Sequence, residues 1–278
     1  MEEPIAIDNA SVQSNDWQVL RQFTAARIAL GRAGSSLPTA PQLAFQLAHA
    51  QARDAVHWPL PAESLAQRLQ QALAPWFAAQ GLAYALHTVH SAARDRREYL
   101  QRPDLGRKLS PSSQQQLQTL ASAPAELAIV IADGLSALAI EQQTVPFLQA
   151  LLPRLAGWRL APLTIALQAR VALGDEIGHL LNAEMVLVLI GERPGLSSPD
   201  SMGLYLSYQP RPGLVDANRN CISNVRPAGL SFDEASYKLH YLLEQARSRQ
   251  LTGVDLKDET VGEHQELDVR RNFLLAGE

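Results

Sequence analysis

The chain has 278 residues, 46% of them apolar, enough for one large folded unit or two modest ones around a sizeable core. Its formal net charge of −4 excludes the broad basic field that nucleic acid or an anionic membrane surface would require. A single cysteine, Cys221, excludes an internal disulfide and a multi-cysteine metal site.

The start, MEEPIAIDNA, is acidic and lacks the apolar centre of a secretory leader. No apolar run approaches the roughly 20 residues that a membrane span needs, so a reducing cytoplasm is the expected compartment. Residues 1–109 read as a helical region. Ser14, Asn15 and Asp16 offer N-caps before an apolar series, Trp17, Leu20, Phe23 and Ile28, that Gly31 and Gly34 end, with Pro38 beyond. A second helix carries Leu43, Leu47 and Val56, and a third runs from about 64 to 76. Ala, Gln and Leu dominate here, all good helix formers, and no strand pattern stands out.

The character changes near residue 125. LAIVI at 127–131, LTIAL at 163–167, MVLVLI at 185–190 and LYLSY at 204–208 read as short apolar strands. Uninterrupted apolar strands imply burial on both faces, as in a parallel sheet. Between them, Leu173, Ile177, Leu180 and Leu181 share a helix face behind Asp175, read as an N-cap. Ser231 and Glu234 form a capping-box pair ahead of the stripe Ala235, Leu239, Leu242 and Ala246, with Gly253 as the stop. The alternation implies a Rossmann-like α/β domain with a mainly parallel sheet over 110–257. Residues 258–278 open on an acidic run, read as a mobile tail, and end on the apolar NFLLAGE.

Ligands of such sheets collect outside the carboxyl ends of the strands. That rule selects Asp133-Gly134 and the GERPG turn at 191–195. Glu192 would offer an acceptor-only carboxylate to amide or hydroxyl donors, and Arg193 a partner for phosphate or carboxylate. A plain Gly/Pro turn with a surface Glu–Arg pair is the competing reading. RIALGRAGSSLPT at 27–39 lacks phosphate-loop spacing, and reads as a helix end with solvated arginines. RPDLGRKL at 102–109 is either an interdomain linker or an anion or partner site. His87 and His90, and His49 and His57, have no carboxylate at ligand spacing, so no metal ligand is assigned. Cys221 has no activating signature, and Ser136 in DGLSA is not in a nucleophile elbow. No catalytic residue is assigned, which suits a chain that positions something whose chemistry lies elsewhere. A free-standing nucleotide- or anion-binding module is the alternative.

The runs GRAG, YLQRPDLGRKL, IADGLSALAI, DEIG, LIGERPGL and NCISNV, in this order and spacing, resemble the small subunit of adenosylcobalamin-dependent ethanolamine ammonia-lyase. The resemblance covers about residues 17–257, and GERPG followed some thirty residues later by CISN is its most specific part. It implies a radical lyase that converts ethanolamine to acetaldehyde and ammonia, active only with a large subunit that binds substrate. It further implies an adenosylcobalamin held between the subunits, with contacts at Val171, Glu192 and Cys221. Because DxHxxG is absent, dimethylbenzimidazole is expected to stay on cobalt. Some relatives begin with an amphipathic helix that directs them into a bacterial microcompartment. MEEPIAIDNASVQSN does not look like one.

Overall fold

The computed structural model describes residues 12–120 and 124–260. The segment compared with a microcompartment-directing helix falls mostly, and the apolar NFLLAGE wholly, outside those residues.

The centre is set by the apolar runs. Strands β2 (Ala125–Ala132), β3 (Leu163–Leu167) and β4 (Ala183–Gly191) are almost wholly buried, because both of their faces lie under helices. With β1 (Leu86–His90), β5 (Met202–Tyr208) and β6 (Arg219–Val225) they form one six-stranded sheet in the order β1-β3-β2-β4-β5-β6. Pairings from β1 through β4 are parallel, and those of β4 with β5 and β5 with β6 are antiparallel. The expected α/β class and mainly parallel sheet are therefore present.

Helix α5 (Ala137–Leu151) links β2 to β3, and α6 (Leu173–Leu180) links β3 to β4. Helices α2 (Ala62–Ala79), α5 and α7 (Phe232–Arg249) bury one sheet face, where Leu69, Phe147, Leu187 and Leu243 meet. Helices α4 (Pro111–Leu120) and α6 border the other, where Leu117, Val130, Ile177 and Val188 cluster. The connections thus wind both ways around the sheet. α3 (Arg96–Gln101) follows β1.

Several local expectations change. Strand β1 was not foreseen, because LHTVH is a half-exposed edge strand with Val89 alone fully buried. It lies before residue 110, the expected start of the sheet domain, and pairs with β3 throughout. The first helix is only a 3-10 stretch, Asp16–Gln22, with Asn15 accepting from Trp17 N. Helix α1 (Thr39–His57) forms, but its buried stripe is Ala48, Ala52 and Ala55, whereas Leu43 and Leu47 point outward. Asp175 is not a cap: it lies inside α6, buried, and Ala172 occupies the N-cap. The Ser231–Glu234 capping box forms as read, but α7 ends at Gln250 in the left-handed conformation, ahead of Gly253. Residues 258–260 are packed on α7, where Lys238 Nζ contacts Asp258 at 3.1 Å and Tyr241 donates to Glu259.

Gly174 lets α6 lie close on β4, since a Cβ there would overlap a Val188 methyl. Gly174→Ala is expected to lower unfolding stability by about 1–3 kcal/mol, the usual range for overpacking. Val188→Ala should cost less in the Gly174→Ala background than in wild type in denaturant titrations, because there it also removes the overlapping methyl.

Candidate functional site at the strand ends

The carboxyl ends of β2 and β3 are tied together by one buried carboxylate. Asp133, at the end of β2, accepts from Gln168 N and Ala169 N, both at 2.9 Å, and so fixes the turn leaving β3. That turn includes Gln168 at φ 53°, a conformation costly for a non-glycine residue. Arg96 on α3 lies 3.6 Å from Asp133 and donates to Gly134 O and Val56 O, each at 2.7 Å. Burial pushes the Asp133 carboxyl up, against the opposing pull of Arg96 and the amides. On the other side, Leu135 N donates to Gly191 O at 2.9 Å. Only glycine fits at 191, where a Cβ would run into Ser136 O.

These turns enclose a cavity of about 370 Å³ lined by Tyr99, Gly134, Leu135, Arg170, Val171, Ile190, Gly191, Glu192, Arg193 and Tyr205. A second cavity of about 300 Å³ lies beside it, between Arg107, Ala172, Val215 and Arg219. Both include Arg170, Val171 and Tyr205, so they form one cleft.

Glu192 is held at one end of this cleft. Its Oε2 accepts from Ser201 Oγ at 2.5 Å and from Asn224 N at 3.3 Å. A register shift between β5 and β6 leaves Ser223 and Asn224 facing the single residue Gly203, and Asn224 takes φ 60°. This bulge brings the Asn224 N–H to the carboxylate. Neither of those bonds uses Oε1, which lies toward Gly203.

Cys221 sits on β6 directly opposite Tyr205 of β5. The helices packed against β5 and β6 are α5 and α7, on the first sheet face. On the second face, Tyr205 is half-buried and Cys221 is exposed. Partial desolvation pushes the Cys221 thiol up, the Tyr205 hydroxyl bonded to it pulls it back, and the Glu192 carboxylate pushes it further up. The Tyr205 phenol is pushed up by burial, then by Cys221 and Glu192.

Arg170 forms the wall shared by the two cavities. Its guanidinium lies 4.4 Å over the Tyr99 ring, and its backbone N–H donates to Gly106 O at 2.8 Å. Tyr99 in turn donates to Ala169 O at 3.1 Å. The Arg170 Nε is buried and has no hydrogen-bond partner. The second cavity is floored by a buried ion pair between Arg219 and Asp175, and Arg219 also reaches Asp216 Oδ1 and Leu214 O at 3.0 Å.

Of the residues singled out from sequence, Val171 and Glu192 line the same cavity, and Cys221 reaches it through Tyr205. Arg193 is on the rim, without an ion pair among the described residues. RPDLGRKL is packed against the site: Gly106 fits under the Tyr99 ring, and Arg107 borders the cleft. Of the two arginines of RIALGRAG, read as solvated, Arg32 is exposed and donates to Gln13 Oε1, whereas Arg27 donates to Ser197 Oγ and Leu196 O beyond the GERPG turn. Ser136 is a helix cap that accepts from Ala139 N and donates to Pro199 O. His87 and His90 are three apart on a strand and so face opposite ways. Arg170 and Tyr205 were missed. The strand-end rule also selects QARV, which follows LTIAL and holds Arg170.

The family model for the ethanolamine ammonia-lyase light chain (EutC) matches residues 14–257. The chain belongs to the ethanolamine ammonia-lyase light-chain family. Among its curated relatives is the ethanolamine ammonia-lyase small subunit of Azotobacter vinelandii, 55% identical over 257 residues, covering 91% of this chain and 92% of the relative. The small subunit of Ralstonia nicotianae is 54% identical over 272 residues, 96% of each chain. That of Pseudomonas fluorescens SBW25 is 52% identical over 284 residues, 99% of this chain and 98% of the relative. The light-chain match spans the whole cleft, from Tyr99 to Cys221.

The coupling of Glu192, Tyr205 and Cys221 can be read from the thiol, because thiolate is the reactive form. Cys221 should be alkylated by iodoacetamide more slowly at pH 8 than a free thiol. Glu192→Gln removes a charge that raises the thiol pKa and should speed the reaction. Tyr205→Phe removes a bond that lowers it and should slow the reaction. A pH–rate profile of alkylation measures all three.

Proposed function

We propose that this chain is the cofactor-holding small subunit of an adenosylcobalamin-dependent ethanolamine ammonia-lyase, which turns ethanolamine into acetaldehyde and ammonia. A large subunit binds the substrate, and the corrinoid lies against the strand-end cleft of this chain. The observation that carries the reading is convergence. Val171, Glu192 and Cys221 are far apart in sequence, yet two line one cavity and the third adjoins it through Tyr205.

The donor set fits the group. A corrinoid presents amide side chains, ribose hydroxyls and a large flat apolar surface. Glu192 Oε1 accepts from amide or hydroxyl donors while Ser201 and Asn224 hold the other oxygen still. Such preset geometry lowers the ordering cost of binding. Val171, Tyr205 and Cys221 give the apolar wall, and the missing side chain of Gly203 leaves room beside Glu192. The chemistry that the group supplies when bound is homolysis of its cobalt–carbon bond, which starts the removal of hydrogen from substrate. This chain orients and shields the group and contributes no reacting side chain and no ligand to cobalt.

Purified alone, the chain should release no acetaldehyde from ethanolamine. Mixed with its large subunit and adenosylcobalamin, it should. Full activity from this chain by itself would refute the division of labour. In the complex, Glu192→Ala should weaken cobalamin binding by about tenfold or more, the size expected for losing one hydrogen bond to a charged acceptor. A change below about twofold would remove Glu192 from the contacts.

A further inference from the structure

We propose that Arg170 receives the phosphodiester of the cofactor's nucleotide tail, an inference that rests on the function proposed above. Two other arginines beside the cleft, Arg96 and Arg219, are already committed. Arg96 is used by Asp133, Gly134 O and Val56 O, and Arg219 by Asp175, Asp216 and Leu214 O. Arg170 has no carboxylate within 4.0 Å among the described residues. Its Nε is buried without an acceptor, and its guanidinium rests 4.4 Å over the Tyr99 ring. A guanidinium keeps its charge at every relevant pH, and its planar fork matches two phosphate oxygens. An oriented, uncompensated fork lining both cavities is suited to an anion that spans them.

Glu192 offers an acceptor in the first cavity, with Arg193 on its rim, and Arg170 and Arg107 offer donors toward the second, where the Asp216 carboxylate is paired with Arg219. Arg107 is exposed and, like Arg170, forms no ion pair among the described residues. This concentration of free cations stands out on a chain with net charge −4. A nucleotide tail has the matching pattern, with hydroxyl and amide donors on either side of one monoanionic phosphate. A free mononucleotide shares the phosphate chemistry, so the test separates the two.

The complex with the large subunit is titrated with cyanocobalamin and with dicyanocobinamide, which lacks the phosphate and everything beyond it. Arg170→Met should weaken cyanocobalamin by about tenfold or more and dicyanocobinamide by less than about twofold. Arg170→Lys should fall between wild type and Arg170→Met for cyanocobalamin, since it keeps the charge but not the fork. Retained cobinamide binding reports that each variant is folded. Equal weakening of both corrinoids, or of neither, would overturn the assignment while leaving the proposed function standing. A wild-type complex that binds neither corrinoid would overturn both. Adenosine monophosphate binding by the chain alone, lost in Arg170→Met without any corrinoid contrast, would give the site to a free nucleotide.

Discussion

The geometry of the cleft depends on a carboxylate that never faces it. Asp133 is buried at the end of β2, where it accepts the two backbone N–H groups of Gln168 and Ala169 and lies beside Arg96. Each hydrogen bond to a charged group contributes about 1.5–3 kcal/mol, enough to hold Gln168 in a backbone region that side chains usually avoid. The next residues, Arg170 and Val171, take their places from that turn. Asp133 shares the hold on the β3–α6 turn with Tyr99, which donates to Ala169 O, and with Gly106 O, which accepts from Arg170 N.

The antiparallel extension supplies the rest. Parallel strands β2 to β4 are enclosed by helices on both faces, and a ligand can approach them only at their ends. β5 and β6 carry helices on one face and leave Tyr205 and Cys221 on the other. The cleft therefore begins at the strand ends and continues onto a broad open surface. The bulge at Asn224 joins the two, because it carries a backbone donor from the outermost strand to the Glu192 carboxylate.

Much of this was legible in the sequence, for physical reasons that differ by element. Strands β2, β3 and β4 were visible because double-sided burial demands unbroken apolar runs. Strands β1 and β6 were not, because edge strands keep polar side chains, as LHTVH and RNCISNV do. Leu43 and Leu47 have helical spacing but lie outward, so periodicity gave the element and not its buried face. Glu192 followed from the rule about strand ends, and Val171 and Cys221 from family resemblance alone. Arg170 follows a strand end that the same rule selects, whereas Tyr205 carries no local signal and matters because of what tertiary structure puts beside it. Asp175 reads as a cap from its neighbours, yet its partner Arg219 is forty-four residues away.

That last pair constrains how this chain can drift. Breaking a buried ion pair from one side leaves a naked charge and costs about 3–5 kcal/mol, whereas replacing both members with well-packed apolar residues is often neutral. Positions 175 and 219 therefore form a two-step lock in mutational space. Any path from the charged pair to an apolar one crosses a poorly folding intermediate, and the floor of the second cavity is inherited as a unit or not at all.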